Sequence, residues 1–304
     1  MTFRRDPPPA PASCRLGSVC ERVLAITALG LGAALGASAM ELNLPPIHGE
    51  LNGDFKALQL VGAPQIHWVF TLEANSDRAH RATLKADGTG TRVVAAVQLD
   101  ETGEGSWRIT EGRIEFKSWL NGQFTAGSAE VSGEGRWQAR ALSGDFTLKV
   151  RDVNLSELAA FADPEKTYVR TANGKVEGII RVRVRAGALS GGDSALRLPP
   201  GTTATVTFVP SPGLLTSYVP AQVLKHYPGI EAIELGKTPL EAKVLQLVYH
   251  PEGDAQGRGA RLRIEGRPLD PKIIAPLELE VNFTGPLESL LRKALDSRLK
   301  VGAK

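Results

Sequence analysis

Three arginines alternate with valines in Arg181-Val182-Arg183-Val184-Arg185. Successive side chains of a strand point to opposite faces. A strand here therefore sets three guanidiniums on one side and Ile180, Val182 and Val184 on the other. Guanidinium forks hydrogen-bond carboxylates and phosphates in pairs. Arg181, Arg183 and Arg185 are thus the candidate ligand-binding residues, for an anion or a lipid head group. The same row also suits a solvated sheet face whose arginines pair with Asp or Glu on neighbouring strands. The alternation is compatible with both. Arg261-Leu262-Arg263-Ile264-Glu265 repeats the pattern. The second candidate is apolar. Leu277, Leu279, Val281 and Phe283 alternate with Glu278, Glu280 and Asn282, and form one strand face suited to a groove for acyl chains.

Catalytic chemistry is not marked. The chain has no G-x-S-x-G, S-x-x-K, H-E-x-x-H or P-loop. Those motifs place a nucleophile, a metal pair or a phosphate cradle. The G-x-G pairs at Gly88/Gly90, Gly103/Gly105 and Gly133/Gly135 lack the third glycine and the following helix, and read as hairpin turns. His48, His67, His80, His226 and His250 have no ligand spacing. Carboxylates are spread through the chain, and none is singled out as half of an acid–base pair. The expectation is a non-enzymatic protein with no catalytic residue, no metal site and no cofactor.

The elements that carry these residues have a period of two. Alternation marks strands at 66–72, 145–150, 181–185, 203–208 and 277–283. Antiparallel sheets with one covered face read this way. Asp87-Gly88, Glu111-Gly112, Asn121-Gly122, Asn173-Gly174 and Glu252-Gly253 read as the joints, since Gly and Asn suit tight turns. Gly103-Glu104-Gly105-Ser106-Trp107 recurs as Gly133-Glu134-Gly135-Arg136-Trp137, which suggests a repeated hairpin unit. Residues 187–200 read as a loop. Helices are few: a short one over 154–162, two pieces over 214–227 split by Pro220, and an amphipathic one from Pro286 to Lys300. The fold class expected is mainly β: an elongated antiparallel sheet, groove-like or curled, with a few short helices and a C-terminal amphipathic helix. The organisation expected is a signal peptide at 1–39, a β-hairpin repeat region at 40–163 and a C-terminal β-domain with the terminal helix at 164–304.

Export is read from the first segment. Arg4, Arg5, Arg15 and Arg22 precede an apolar run from Val23 to Ala37, and Ala37-Ser38-Ala39 follows. A basic region, a short apolar run and a small-x-small site make a secretory signal. The run is shorter than the roughly 20 residues a spanning helix needs. The expected location is the periplasm or cell envelope after cleavage at Ala39, with an uncleaved inner-membrane anchor as the alternative. Both cysteines, Cys14 and Cys20, lie in that segment, so the remainder has no thiol for a disulfide or a metal. The segment carries four Arg against Asp6 and Glu21, so the formal +3 of the chain falls to +1 without it. A near-neutral body argues against nucleic acid as a partner.

The order of segments from Glu165 to Leu299 resembles the C-terminal domain of YdbH-type envelope proteins, called a dicarboxylate-transport domain, within the wider AsmA-like and TamB-like group. The resemblance is carried by Val176-Glu177-Gly178-Ile179-Ile180 before the arginine strand and by Pro200-Gly201 before the strand at 204–209. It continues through Leu245-Gln246-Leu247-Val248-Tyr249 and Leu262-Arg263-Ile264-Glu265-Gly266-Arg267-Pro268. It ends in Leu279-Glu280-Val281-Asn282-Phe283-Thr284-Gly285-Pro286-Leu287 before a leucine-rich helix. The resemblance implies a groove-like β-sheet whose apolar face shields lipid between envelope membranes. It also implies an envelope protein partner, a small outer-membrane lipoprotein. The expected function is to bind or conduct lipid, or to support a machine that does. The alternatives are a structural envelope protein with a closed core, and an accessory of dicarboxylate or anion transport.

Overall fold

The computed structural model describes residues 49–56, 65–74, 79–100, 104–118, 124–138, 141–162, 165–166, 168–185, 188–213, 215–270 and 277–284. The expected signal peptide, the Asn121-Gly122 turn and the terminal helix lie outside them.

The described residues form fifteen strands in one sheet. They are β1 Gly49–Lys56, β2 Gln65–Ala74, β3 Ala79–Gly88, β4 Thr91–Asp100, β5 Gly105–Glu115, β6 Ser128–Gln138, β7 Ala141–Asn154 and β8 Val169–Asn173. Then come β9 Lys175–Arg185, β10 Ala188–Gly191, β11 Ser194–Arg197, β12 Ala204–Phe208, β13 Leu240–Tyr249, β14 Arg258–Pro268 and β15 Leu277–Thr284. Three short helices accompany them: α1 Leu155–Ala162, α2 Ala221–His226 and α3 Gly229–Glu234. The fold is therefore mainly β, as the period of two implies. Every pairing is antiparallel.

Strands β1 to β7 lie side by side in chain order, followed by β9, β11 and β13. Strand β14 takes the far edge of β13, and β15 follows it. The near edge of β13 is shared. Residues 246–249 pair with β11 and residues 240–242 pair with β12. Among the described residues β1 and β15 each have one paired edge, so the sheet is open. Strands β7 and β9 pair from Gly144↔Val184 to Asn154↔Lys175, with one register shift between Val150 and Val153, so the sheet joins strands from both sides of the expected boundary at 163/164.

Three local expectations are corrected. Residues 187–200 are not a loop: they hold β10 and β11, which turn back along the edge of β9. Each strand has only four residues, too few for alternation to show. Glu111-Gly112 is not a turn but lies inside β5, where the register against β4 shifts. Gly133 and Gly135 lie inside β6, not at a hairpin. The helix pieces around Pro220 do occur, as a 3-10 turn at Thr216–Tyr218 and as α2. Helix α1 begins where β7 ends. Its Glu157 carboxylate accepts from Asn154 Nδ2 at 2.9 Å and from the Thr125 hydroxyl, which ties residues 124–127 to the helix.

Candidate functional site

The sheet has two chemically opposite faces. The core face carries Ile66, Ala86, Ala95, Trp107, Val131, Phe146, Leu148, Ile180, Val182, Leu196 and Ala260 in one apolar cluster that runs from β2 to β14. In the middle of the sheet this face is sealed. Leu148 is 0% exposed and Phe146 1%. A side chain on an uncovered sheet keeps part of its surface in water, so such values require atoms above it as well as beside it. Full burial of one such side chain contributes about 1.5–3 kcal/mol.

The two copies of the Gly-x-Gly-x-Trp echo help to build that middle. They pair with each other: Trp107 faces Gly135 and Gly105 faces Trp137, about a local twofold at Ser106↔Arg136. The Trp107 ring lies across Gly135 to reach Gly144 on β7, and stacks on Phe146 with ring centroids 4.9 Å apart. A Cβ at Gly135 would stand 2.0 Å from the Ser143 carbonyl oxygen, and one at Gly144 would stand 2.3 Å from the indole. Only glycine lets the next strand swing in this far and gives the indole a flat floor.

Away from the middle the cover of this face is uneven, and on β2–β4 Ile66, Ala82, Ala86, Ala95 and Leu99 are buried. Trp68, Phe70, Leu84, Val93 and Val97 on β2–β4 are half-buried, as are Leu245, Leu247 and Leu262 on β13 and β14. The apolar ladder extends to β15. Leu277, Leu279, Val281 and Phe283 pair with Gly266, Ile264, Leu262 and Ala260. Those four were expected to form a groove face. Their backbone continues the core-face register, and their side chains lie outside the described residues.

The arginine strip is on the outer face, and each guanidinium has an acceptor within the chain. Arg185 forks onto Asp145 at 2.9 and 3.2 Å and also donates to the Gly144 carbonyl at 3.0 Å. Arg183 meets Glu252 at 2.7 Å. Arg181 donates to the Asp193 carbonyl oxygen at 3.1 Å. Arg92–Glu111, Arg108–Glu134 and Arg267–Glu241 continue this cross-strand pattern. Arg263 in the second arginine run pairs with Glu265 and Glu278.

One buried charge has no counterpart in the sequence reading. Glu234, at the end of α3, is 2% exposed. It accepts from the backbone N–H of Gly213 (3.2 Å), Leu215 (2.9 Å) and Thr216 (3.0 Å), and from the Thr216 hydroxyl (2.8 Å). Burial pushes its pKa up, but the four hydrogen bonds outweigh it and hold the carboxyl below its ordinary value. Its partners lie 18 to 21 residues away in sequence, so no local motif could mark it. Asp254 shapes the turn between β13 and β14. Hydrogen bonds from the Arg258 N–H, the Arg258 guanidinium and the Gln256 N–H lower it to about 2.

Of the histidines, His250 meets Asp193 at 3.1 Å, which joins the β13–β14 turn to the β10–β11 turn. Among the described residues no three of His, Cys, Asp and Glu come together as a metal site. Also among them, no helix is long and apolar enough to cross a membrane. Comparison with protein-family models, with curated proteins and with solved structures finds no match to this chain.

Proposed function

We infer that this chain is a non-enzymatic protein of the cell envelope that binds lipid along the core face of its sheet. One observation carries the reading: an apolar face that is continuous from β2 to β14 yet leaves Trp68, Phe70, Leu84, Val93 and Val97 on β2–β4 half-buried. Acyl chains fit such a surface, because transfer of their methylenes out of water is favourable by about 0.8 kcal/mol each. The resemblance of residues 165–299 to YdbH-type proteins and the export signal at the N-terminus support the same reading. The outer-face arginines give less support to an anion carrier, since their guanidiniums are engaged within the chain.

A second reading, a structural envelope protein with a closed core, is favoured by the sealed strands β6, β7 and β9. Val97→Asp separates the two. Val97 is half-buried on β4, so its carboxylate can stay hydrated when the face is empty. Under the lipid reading the variant keeps its far-UV circular dichroism and loses the lipid that co-purifies with the parent protein. Mass spectrometry of extracted lipid measures this. A folded variant that retains the parental lipid, or a parent that carries none, overturns it.

A further inference from the structure

We propose that the connector between β12 and β13 is a membrane-docking tip whose partner is the anionic surface of a lipid bilayer. The connector runs from Val209 to Pro239 and holds the 3-10 turn, α2 and α3. Its inner end is buried. Leu215 and Ile233 pack with Leu240, Ala242 and Ile264 in a second small core. Its outer end is bare: residues 220–222 and 225–228 are all exposed, with Tyr227 at 43%.

The chemistry of the bare end fits a bilayer. No Asp or Glu occurs between Asp193 and Glu231, although 33 of the 304 residues are acidic. Lys225 is the one formal charge between Arg197 and Glu231. Residues 220–228 carry no carboxylate to repel anionic head groups or to be desolvated, and the first one beyond them is the exposed Glu231 on α3, four residues after Tyr227. Lys225 adds attraction within a Debye length of the surface. An exposed tyrosine seats its ring at the acyl boundary and its hydroxyl among head groups. Leu269, also 43% exposed, follows β14 at the same end of the sheet, where its N–H donates to the Pro239 carbonyl at 2.9 Å. It widens the apolar contact. Most outer-face strands, by contrast, carry paired charges of both signs.

The root of the tip is held firmly. Glu234 accepts the N–H groups of Gly213, Leu215 and Thr216, which fixes the turn from which α2 projects. A docking element held at its base loses less conformational freedom on binding.

This inference stands apart from the lipid-binding reading, since docking requires no acyl chain on the core face. The test is hydrogen–deuterium exchange of the full chain, alone and with vesicles of phosphatidylcholine with or without phosphatidylglycerol. Peptides covering 217–229 should exchange more slowly only when phosphatidylglycerol is present. Lys225→Glu should lower partitioning of this segment onto those vesicles about tenfold. Tyr227→Asp should abolish the protection with no change in melting temperature, because the ring is exposed. Val97→Asp should leave the protection intact, which keeps this test separate from that of the core face. Unchanged exchange overturns the proposal, as does equal slowing on phosphatidylcholine alone. Slowing without vesicles that follows protein concentration also overturns it, in favour of a second copy of the chain.

Discussion

Leu148 and Val97 lie on the same face of the same sheet, yet one is sealed and the other half open. The strands around the two positions also pair differently. Strands β2–β3 and β3–β4 pair without a break in register. Strands β4–β5, β5–β6 and β7–β9 each contain a register shift. A bulge bends its strand and increases the local twist. In the middle, Leu155, Leu158 and Ala159 of helix α1 also pack into the apolar cluster, with Trp107 laid over Gly135 and Gly144. On the regular hairpins of β2–β4, Trp68, Phe70, Leu84, Val93 and Val97 keep part of their surface in water, although Ile66 and Ala82 beside them are buried. The sealed middle supplies stability, and the half-buried side chains of the flank supply accessible apolar surface.

A charge at each position breaks or sharpens this comparison. Leu148→Asp buries an unpaired carboxylate at a cost of several kcal/mol, enough to unfold a domain of ordinary stability. The expected result is loss of the cooperative thermal transition, whereas Val97→Asp keeps it. Equal damage from both would mean that the flank is as closed as the middle. Next in size is Trp107→Ala, which uncovers the glycine floor and leaves a void beside Phe146. A loss of about 3–5 kcal/mol is expected in urea titration. A loss under about 1 kcal/mol would mean that the stack does not organise the middle.

Glu234 tests the second, smaller core. Glu234→Gln puts an amide NH2 against backbone N–H donors and should cost about 1–3 kcal/mol near neutral pH. Acid acts on the same contacts. A carboxyl whose folded pKa lies below its unfolded value of 4.5 stabilises the fold while it is ionised. That stability is present above pH 4.5 and is lost as pH falls through the lowered folded value. Asp254 contributes in the same direction, between 3.8 and about 2. Thermal scans of the parent protein should show this acid limb, and Glu234→Gln should make it shallower. The smallest effect belongs to the arginine strip. Joint replacement of Arg181, Arg183 and Arg185 by Gln breaks exposed pairs worth roughly 0.2–1 kcal/mol each. A small drop in the urea midpoint with unchanged lipid content is expected. Lipid loss without any destabilisation would instead support head-group binding by this row.

Alternation made β2, β7, β9, β12 and β15 legible, because one wet and one apolar side is a property of each segment by itself. The break at Pro220 was legible for a similar local reason, since proline lacks the N–H that a helix needs. The short strands β10 and β11 were not legible, because four residues cannot display a period. Gly133 and Gly135 were misread for a different reason. A glycine in a turn and a glycine under a tryptophan look alike in one dimension. The echo was visible as a repeat, but its meaning required the register that sets each Trp against the other copy's Gly.

What the sequence by itself determined is the set of two-faced strands, their charged outer residues and the stretch without Asp or Glu from Ser194 to Ile230. These depend on residue type and local spacing. Only the tertiary structure decided which stretch of the apolar face is closed, which acceptors occupy the arginines, and that Glu234 grips a turn 18 to 21 residues away. Each of these depends on strand register and packing. Those are set by many distant pairings at once, so no single segment carries the information.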